Sequence, residues 1–191
     1  MHEPEIVLDP SAEFALEVLD DGPRDASDYS FASNDAGLSS PREALLVRVV
    51  PQEGEPWVGR FEGGYPSSAA VTTLRSGPTG NELVVVNKGA GWLVPIDDPA
   101  SALALDLGPI VAIALSPDDN LVVVADFTHL AAFGPEGRRW TAEVSWDGVE
   151  LSGVQDGVVK GQGWDAPKGR NSDFAVEVRT GSVLRGVTPR P

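Results

Sequence analysis

The chain has no cysteine, one methionine and two histidines among 191 residues, and each shortage closes a route to chemistry. Without thiols there is no disulfide framework, thiolate nucleophile or thiolate metal site, which fits a reducing compartment. A zinc site would have to combine His2 and His129 with carboxylates across most of the chain, so no metal is expected. No Gly-x-Ser-x-Gly elbow and no phosphate-cradling loop ending in Lys and Ser/Thr occurs, and no cofactor is expected. Long apolar runs are missing too. Runs such as 83–86 and 121–125 fall far short of a bilayer span, so an integral membrane protein is not expected. The opening Met1-His2-Glu3-Pro4-Glu5 lacks the positive charge that begins a secretory signal, and the cytoplasm is the expected location.

Cations are scarce as well. Lys and Arg number 14 against 29 Asp and Glu, giving a net charge of −15 and a pI near 4.3. Such a surface repels phosphate backbones, so direct nucleic-acid binding is not expected. The imbalance is uneven: residues 1–43 carry −9, while residues 157–191 carry +3. An acidic surface of this kind serves solubility, and it also steers encounter with a basic protein partner.

What the chain does have is a loosely repeated unit of turn, apolar β-rich run, break and second run. It reads Asn81-Glu82-Leu83-Val84-Val85-Val86, then Asp119-Asn120-Leu121-Val122-Val123-Val124, then Asp156-Gly157-Val158-Val159-Lys160. Spacings of roughly 35–40 residues are what stacked or radially arranged four-stranded sheets produce. Strands are expected near 45–49, 83–86, 111–115, 121–124, 158–160 and 174–178, with Leu83, Val85, Leu105, Val122, Val124, Phe133 and Trp140 in the core. Residues 1–43 form an irregular, acidic N-terminal arm, packed on or linked to an all-β repeat domain over 44–191. Within the arm, 13–19 alternates as a strand yet also carries helical spacing, with strand favoured. The Asp20-Asp21-Gly22-Pro23 cluster ends it, and Tyr29 and Phe31 are the large anchors of the polar run 27–41.

The segments Ser116-Pro117-Asp118-Asp119-Asn120-Leu121-Val122-Val123-Val124 and Phe174-Ala175-Val176-Glu177-Val178-Arg179-Thr180-Gly181-Ser182-Val183-Leu184 resemble blades of bacterial β-propeller-like repeat proteins. The likeness covers residues 70–186 and rests on turn chemistry, a Ser-Pro-Asp turn before an inner strand and a Thr-Gly turn between outer ones. Where such blades carry Asp before the Thr-Gly turn, this chain has Glu177, Val178 and Arg179. The resemblance implies blade-like antiparallel sheets, with room for about three to four blades. A partial or small β-propeller, a curved β-sandwich, and a ring completed by dimerisation all satisfy it.

Candidate sites are few. Asp126, Thr128 and His129 are the nearest thing to a hydrolytic constellation, and a histidine at a turn is the plainer account of them. Asp118-Asp119-Asn120 and Asp97-Asp98 lack the alternating oxygens of a calcium loop and read as turns. Trp57, Trp92, Trp140, Trp146 and Trp164 are mostly sheet-to-sheet staples, with Trp140 and Trp146 sharing a face if one strand runs through both. Trp164, with Lys168 and Arg170 in a glycine-rich loop over 161–170, has the composition of an interface anchor. The leading expectation is a non-enzymatic protein–protein interaction or scaffold domain, in a narrower form a bacterial immunity or antitoxin-like protein. The alternatives are a small-ligand module using Trp92 or Trp164, and a hydrolase at His129.

Overall fold

Over residues 4–19, 28–32, 44–65 and 67–188, which the computed structural model describes, the chain forms seventeen strands, three one-turn 3-10 helices and no α-helix. His2, the turn cluster at 20–23 and most of the 27–41 run lie outside the described residues. All six expected strands are present, and the all-β class follows from the same cause throughout. Runs of three to eight residues, many of them β-branched, are punctuated by turn residues too closely to let a helix nucleate. The chain divides into two compact units, Met1–Asp106 and Leu107–Pro191.

The first unit holds β1 (Glu5–Val7), β2 (Phe14–Leu19), β3 (Tyr29–Phe31), β4 (Leu45–Pro51), β5 (Trp57–Phe61), β6 (Thr73–Ser76), β7 (Glu82–Asn87), β8 (Ala90–Pro95) and β9 (Leu103–Leu105). They make two sheets, ordered β1-β6-β7-β8-β9 and β2-β4-β5-β3, with parallel pairing at β1/β6 and β3/β5 and antiparallel pairing elsewhere. Three of these strands come from residues 1–43, and 14–19 is a strand, as its alternation suggests. β7 is buried at every position, which explains the unbroken apolar run over 83–86 between Glu82 and Asn87. It turns into β8 through Lys88 and Gly89, both at positive φ, the two-residue turn whose twist matches an antiparallel hairpin. Tyr29 and Phe31 do act as anchors. Phe31 stacks on Phe61 at 4.5 Å between ring centroids, and Tyr29 meets Trp57 edge-on at 5.7 Å. Trp92 is buried beside Phe61, inside the core.

The second unit is two antiparallel meanders. One runs β10 (Ala112–Ser116), β11 (Leu121–Ala125), β12 (His129–Gly134), β13 (Gly137–Glu143); the other β14 (Val149–Gln155), β15 (Val158–Asp165), β16 (Arg170–Glu177), β17 (Val183–Arg185). In each sheet the spatial order is the chain order, the arrangement of a propeller blade. The sheets share one core, in which Leu121, Val123, Leu130 and Ala132 meet Val159, Phe174 and Val176. The β14–β15 turn is Asp156-Gly157, both at positive φ. The Thr-Gly turn between β16 and β17 has Gly181 at φ +73, pressed against the Trp140 ring.

Of the expected core, six residues are buried, but Trp140 is only half-buried, its indole N–H donating to the Val178 carbonyl at 2.6 Å. Trp140 and Trp146 do not share a strand, because β13 ends at Glu143 and the chain turns where Val144 and Ser145 N–H groups donate to the Thr128 carbonyl. The stretch 161–170 is not a long loop. It is the end of β15, a single 3-10 turn at Ala166–Lys168, and the start of β16.

Candidate binding surface

β15 alternates strictly, with Val159, Gly161, Gly163 and Asp165 inward and Lys160, Gln162 and Trp164 outward. Its glycines face inward because nothing larger fits. A Cβ on Gly161 would stand 2.2 Å from the Glu150 carbonyl oxygen and 2.5 Å from Phe174 Cζ, and one on Gly163 would stand 2.5 Å from the Val144 oxygen. The strand is therefore flat on the core side and puts its bulk on the solvent side. Trp164 is 39% exposed there, opposite Asn171 on β16, while Gln162 donates to Asp173 at 3.0 Å. Trp146 N–H donates to the Trp164 carbonyl at 2.9 Å, so the backbone beneath the indole is fixed.

Directly after Trp164 comes Asp165, fully buried. Its Oδ2 accepts Lys168 Nζ at 2.7 Å, Ser172 Oγ at 3.1 Å and the Thr188 N–H at 3.1 Å, while Oδ1 is buried with no partner. Loss of hydration pushes its pKa up, but the Lys168 ammonium, Thr188 and Ser172 outweigh it and hold the carboxyl at about 2. Asp165 thereby ties together β15, the 3-10 turn, β16 and the segment after β17. Trp146 Nε1 pins that segment a second time by donating to the Thr188 carbonyl at 2.8 Å.

Around this centre Lys168, Arg170, Asn171, Ser172, Asp173, Arg185 and Gly186 line a groove of about 290 Å³. Lys168 is committed to Asp165 and Arg185 to Asp173 at 2.8 Å; among the described residues Arg170 has no carboxylate partner. The structure thus gathers Trp164, Lys168 and Arg170 at one end of a hairpin. Asp165, Ser172, Arg185 and Thr188 complete the surface and escaped the sequence reading. The i, i+3 spacing of Asp165 and Lys168 across a proline was the one available signal.

Asp126, Thr128 and His129 also come together, in the turn joining β11 to β12. Asp126 Oδ1 accepts the N–H groups of Thr128 and His129, each at 2.6 Å, and Thr128 Oγ1 lies 2.7 Å from His129 Nδ1. A hydrolytic relay needs the carboxylate on one imidazole nitrogen and the nucleophile on the other. Here both approach Nδ1, the carboxylate at 3.9 Å, and Asp126 is engaged by backbone. The arrangement closes a turn. Among the described residues no group of three or more His, Asp or Glu is placed to hold a metal ion, and no helix is long and apolar enough to cross a membrane.

Neither a family model nor a curated protein matches the sequence. Among solved structures the chain is similar to the crystal structure of the computationally designed Ika8 protein, with a TM-score of 0.45 and 17% identity over 73% of this chain. The match spans 45% of the designed protein, less than half its length.

Proposed function

We propose that the chain is a non-enzymatic, cytoplasmic protein-interaction or scaffold domain that docks a partner on the outer face of β15 and β16. A bacterial immunity or antitoxin-like protein is the narrower form of this reading. The observation that carries it is Trp164, a large amphipathic side chain held outward on a rigid strand beside the Lys168, Arg170 and Arg185 groove. Tryptophan and arginine dominate contact energy at protein interfaces, and a pre-ordered strand loses little entropy on docking. The composition supports the same reading: the cysteine-free sequence suits a reducing compartment, and the net charge of −15 favours solubility and encounter with a cationic protein. That charge acts at long range, whereas the groove at Arg170 selects an anionic group at contact.

The test is affinity capture from host extract with the wild-type protein and Trp164→Ser side by side, both checked for equal thermal stability. The expected result is a defined set of proteins retained by the wild type and lost by the variant. Equal recovery on both would overturn this surface as the docking face.

A further inference from the structure

β17 pairs with β16 only at Val176 and Ala175, and the chain beyond Arg185 then leaves the sheet toward Thr188, which is held by Asp165. β16 begins at Arg170, so over residues 170–174 its edge on the β17 side has no strand partner among the described residues. This open edge forms one wall of the polar groove, and Arg185 and Gly186 stand across from it. An unpaired edge presents N–H and C=O groups at strand spacing, a ready template for an added strand.

The charges decide what kind of strand. Arg170 is exposed with no carboxylate partner among the described residues, Lys168 neighbours it, and Arg185 is 68% exposed even while paired with Asp173. We propose that this edge takes an extended acidic peptide segment, about five residues long, which adds as a strand beside residues 170–174 and sets a carboxylate on Arg170. The inference rests on the reading of this face as a docking surface and names its partner. Five residue positions of edge span roughly 13 Å at about 3.3 Å per residue, which sets that length. An Arg guanidinium receives a carboxylate through two parallel N–H bonds, so Arg170 fixes the register while the backbone supplies the rest.

The test uses the full chain and a fluorescein-labelled, end-capped Glu-Val-Glu-Val-Glu peptide, read by anisotropy at physiological salt, where the long-range field of the chain is screened. Three comparators accompany it: the Lys-Val-Lys-Val-Lys peptide, the Glu peptide with alternate backbone nitrogens methylated, and free glutarate. The expected outcome is saturable binding of the Glu peptide, weakened at least tenfold by Arg170→Glu and by backbone methylation. Glutarate at the same concentration should not compete. Amide exchange at residues 171–173 should slow when the peptide binds. Failure of the Glu peptide to bind, or stronger binding of the Lys peptide, overturns the acidic partner. Indifference to methylation overturns strand addition, and full competition by glutarate reduces the groove to a small-anion site. None of these touches the Trp164-dependent capture, so the peptide proposal and the docking surface fail separately.

Discussion

Gly161→Ala should destabilise the second unit, although alanine is intrinsically preferred to glycine in a strand by roughly 0.5–1 kcal/mol. The backbone at Gly161 is ordinary extended strand, so the conformational argument alone predicts a gain. Sterics predict the reverse. The new methyl would lie 2.2 Å from the Glu150 carbonyl oxygen and 2.5 Å and 3.0 Å from Phe174 Cζ and Cε1. The ring can tilt, but the Glu150 carbonyl belongs to the β14–β15 pairing beside a bulge at Gly153 and moves only if that ladder opens. Forcing a methylene into packed surroundings costs about 1–3 kcal/mol, and the backbone contact puts this site at the upper end. Net of the entropy gain the loss is about 2 kcal/mol, which for a unit of this size lowers the melting temperature by roughly 8–16 °C. Thermal and urea melts followed by circular dichroism would measure it. Phe174→Leu combined with Gly161→Ala should recover only part of the loss, since the carbonyl contact remains. A Gly161→Ala protein as stable as the wild type would refute the claim that this strand is flat because its neighbours leave no room.

Asp165 predicts an acid-sensitive step. Its folded pKa of about 2 lies below the ordinary 3.8, so the stability it contributes is complete above the ordinary value and disappears as pH falls from about 4 to about 2. Lys168→Met should raise that pKa and move the acid unfolding midpoint to higher pH; an unmoved midpoint would show that Lys168 does not hold the carboxylate. Asn120 ends the turn before β11 at φ +54 with a buried Oδ1 that has no partner, so Asn120→Gly should cost nothing in a denaturant titration. Asn120→Val, which resists that backbone region, should cost about 1–2 kcal/mol.

The strands that sequence reading places well are those whose side chains announce burial. β11 is apolar and buried at every position, and β7 is buried throughout with an unbroken apolar run over 83–86. β15 and the start of β16 were harder for a physical reason. Sheet burial usually shows as large apolar residues at alternate positions, but in β15 the inward positions after Val159 are Gly161, Gly163 and Asp165. The core volume they leave empty is filled from elsewhere, by Phe174 against Gly161 and by Ser145 against Gly163. A strand that contributes room in place of bulk looks like a glycine-rich loop when its neighbours are unknown. The candidate surface is legible only in part for a similar reason: Trp164, Lys168 and Arg170 stand out by type, whereas Arg185 and Thr188 reach the same place only because β17 folds back across β16. Trp140 erred the other way, since its half-buried place at a hairpin is set by the Val178 carbonyl it donates to.

The turns at 116–121 and 165–170 are built on one plan with opposite charges. Each is a 3-10 turn containing proline and closed by a left-handed residue, Asn120 in one and Gly169 in the other, and each joins strands paired at its ends. Each also has a buried polar residue at its start that bonds three residues ahead: Ser116 Oγ donates to Asp119 at 2.7 Å, and Asp165 accepts Lys168 at 2.7 Å. In the first turn the residue bonded three positions ahead is the anion Asp119, whose side chain is covered and whose second oxygen accepts Arg179 Nε at 2.6 Å, a bond that lowers its pKa ahead of the Ser116 bond. The charge is consumed inside the unit, linking the first sheet's turn to the β16–β17 hairpin. In the second turn the anion lies at the buried position and uses the turn's own lysine. The next cation, Arg170, is left at the surface beside an open strand edge and an exposed tryptophan. In the first copy Asp119 is paired within the unit while its neighbour Asp118 is exposed; in the second an exposed arginine stands beside an open strand edge and an exposed indole, and that combination supports the proposed docking surface.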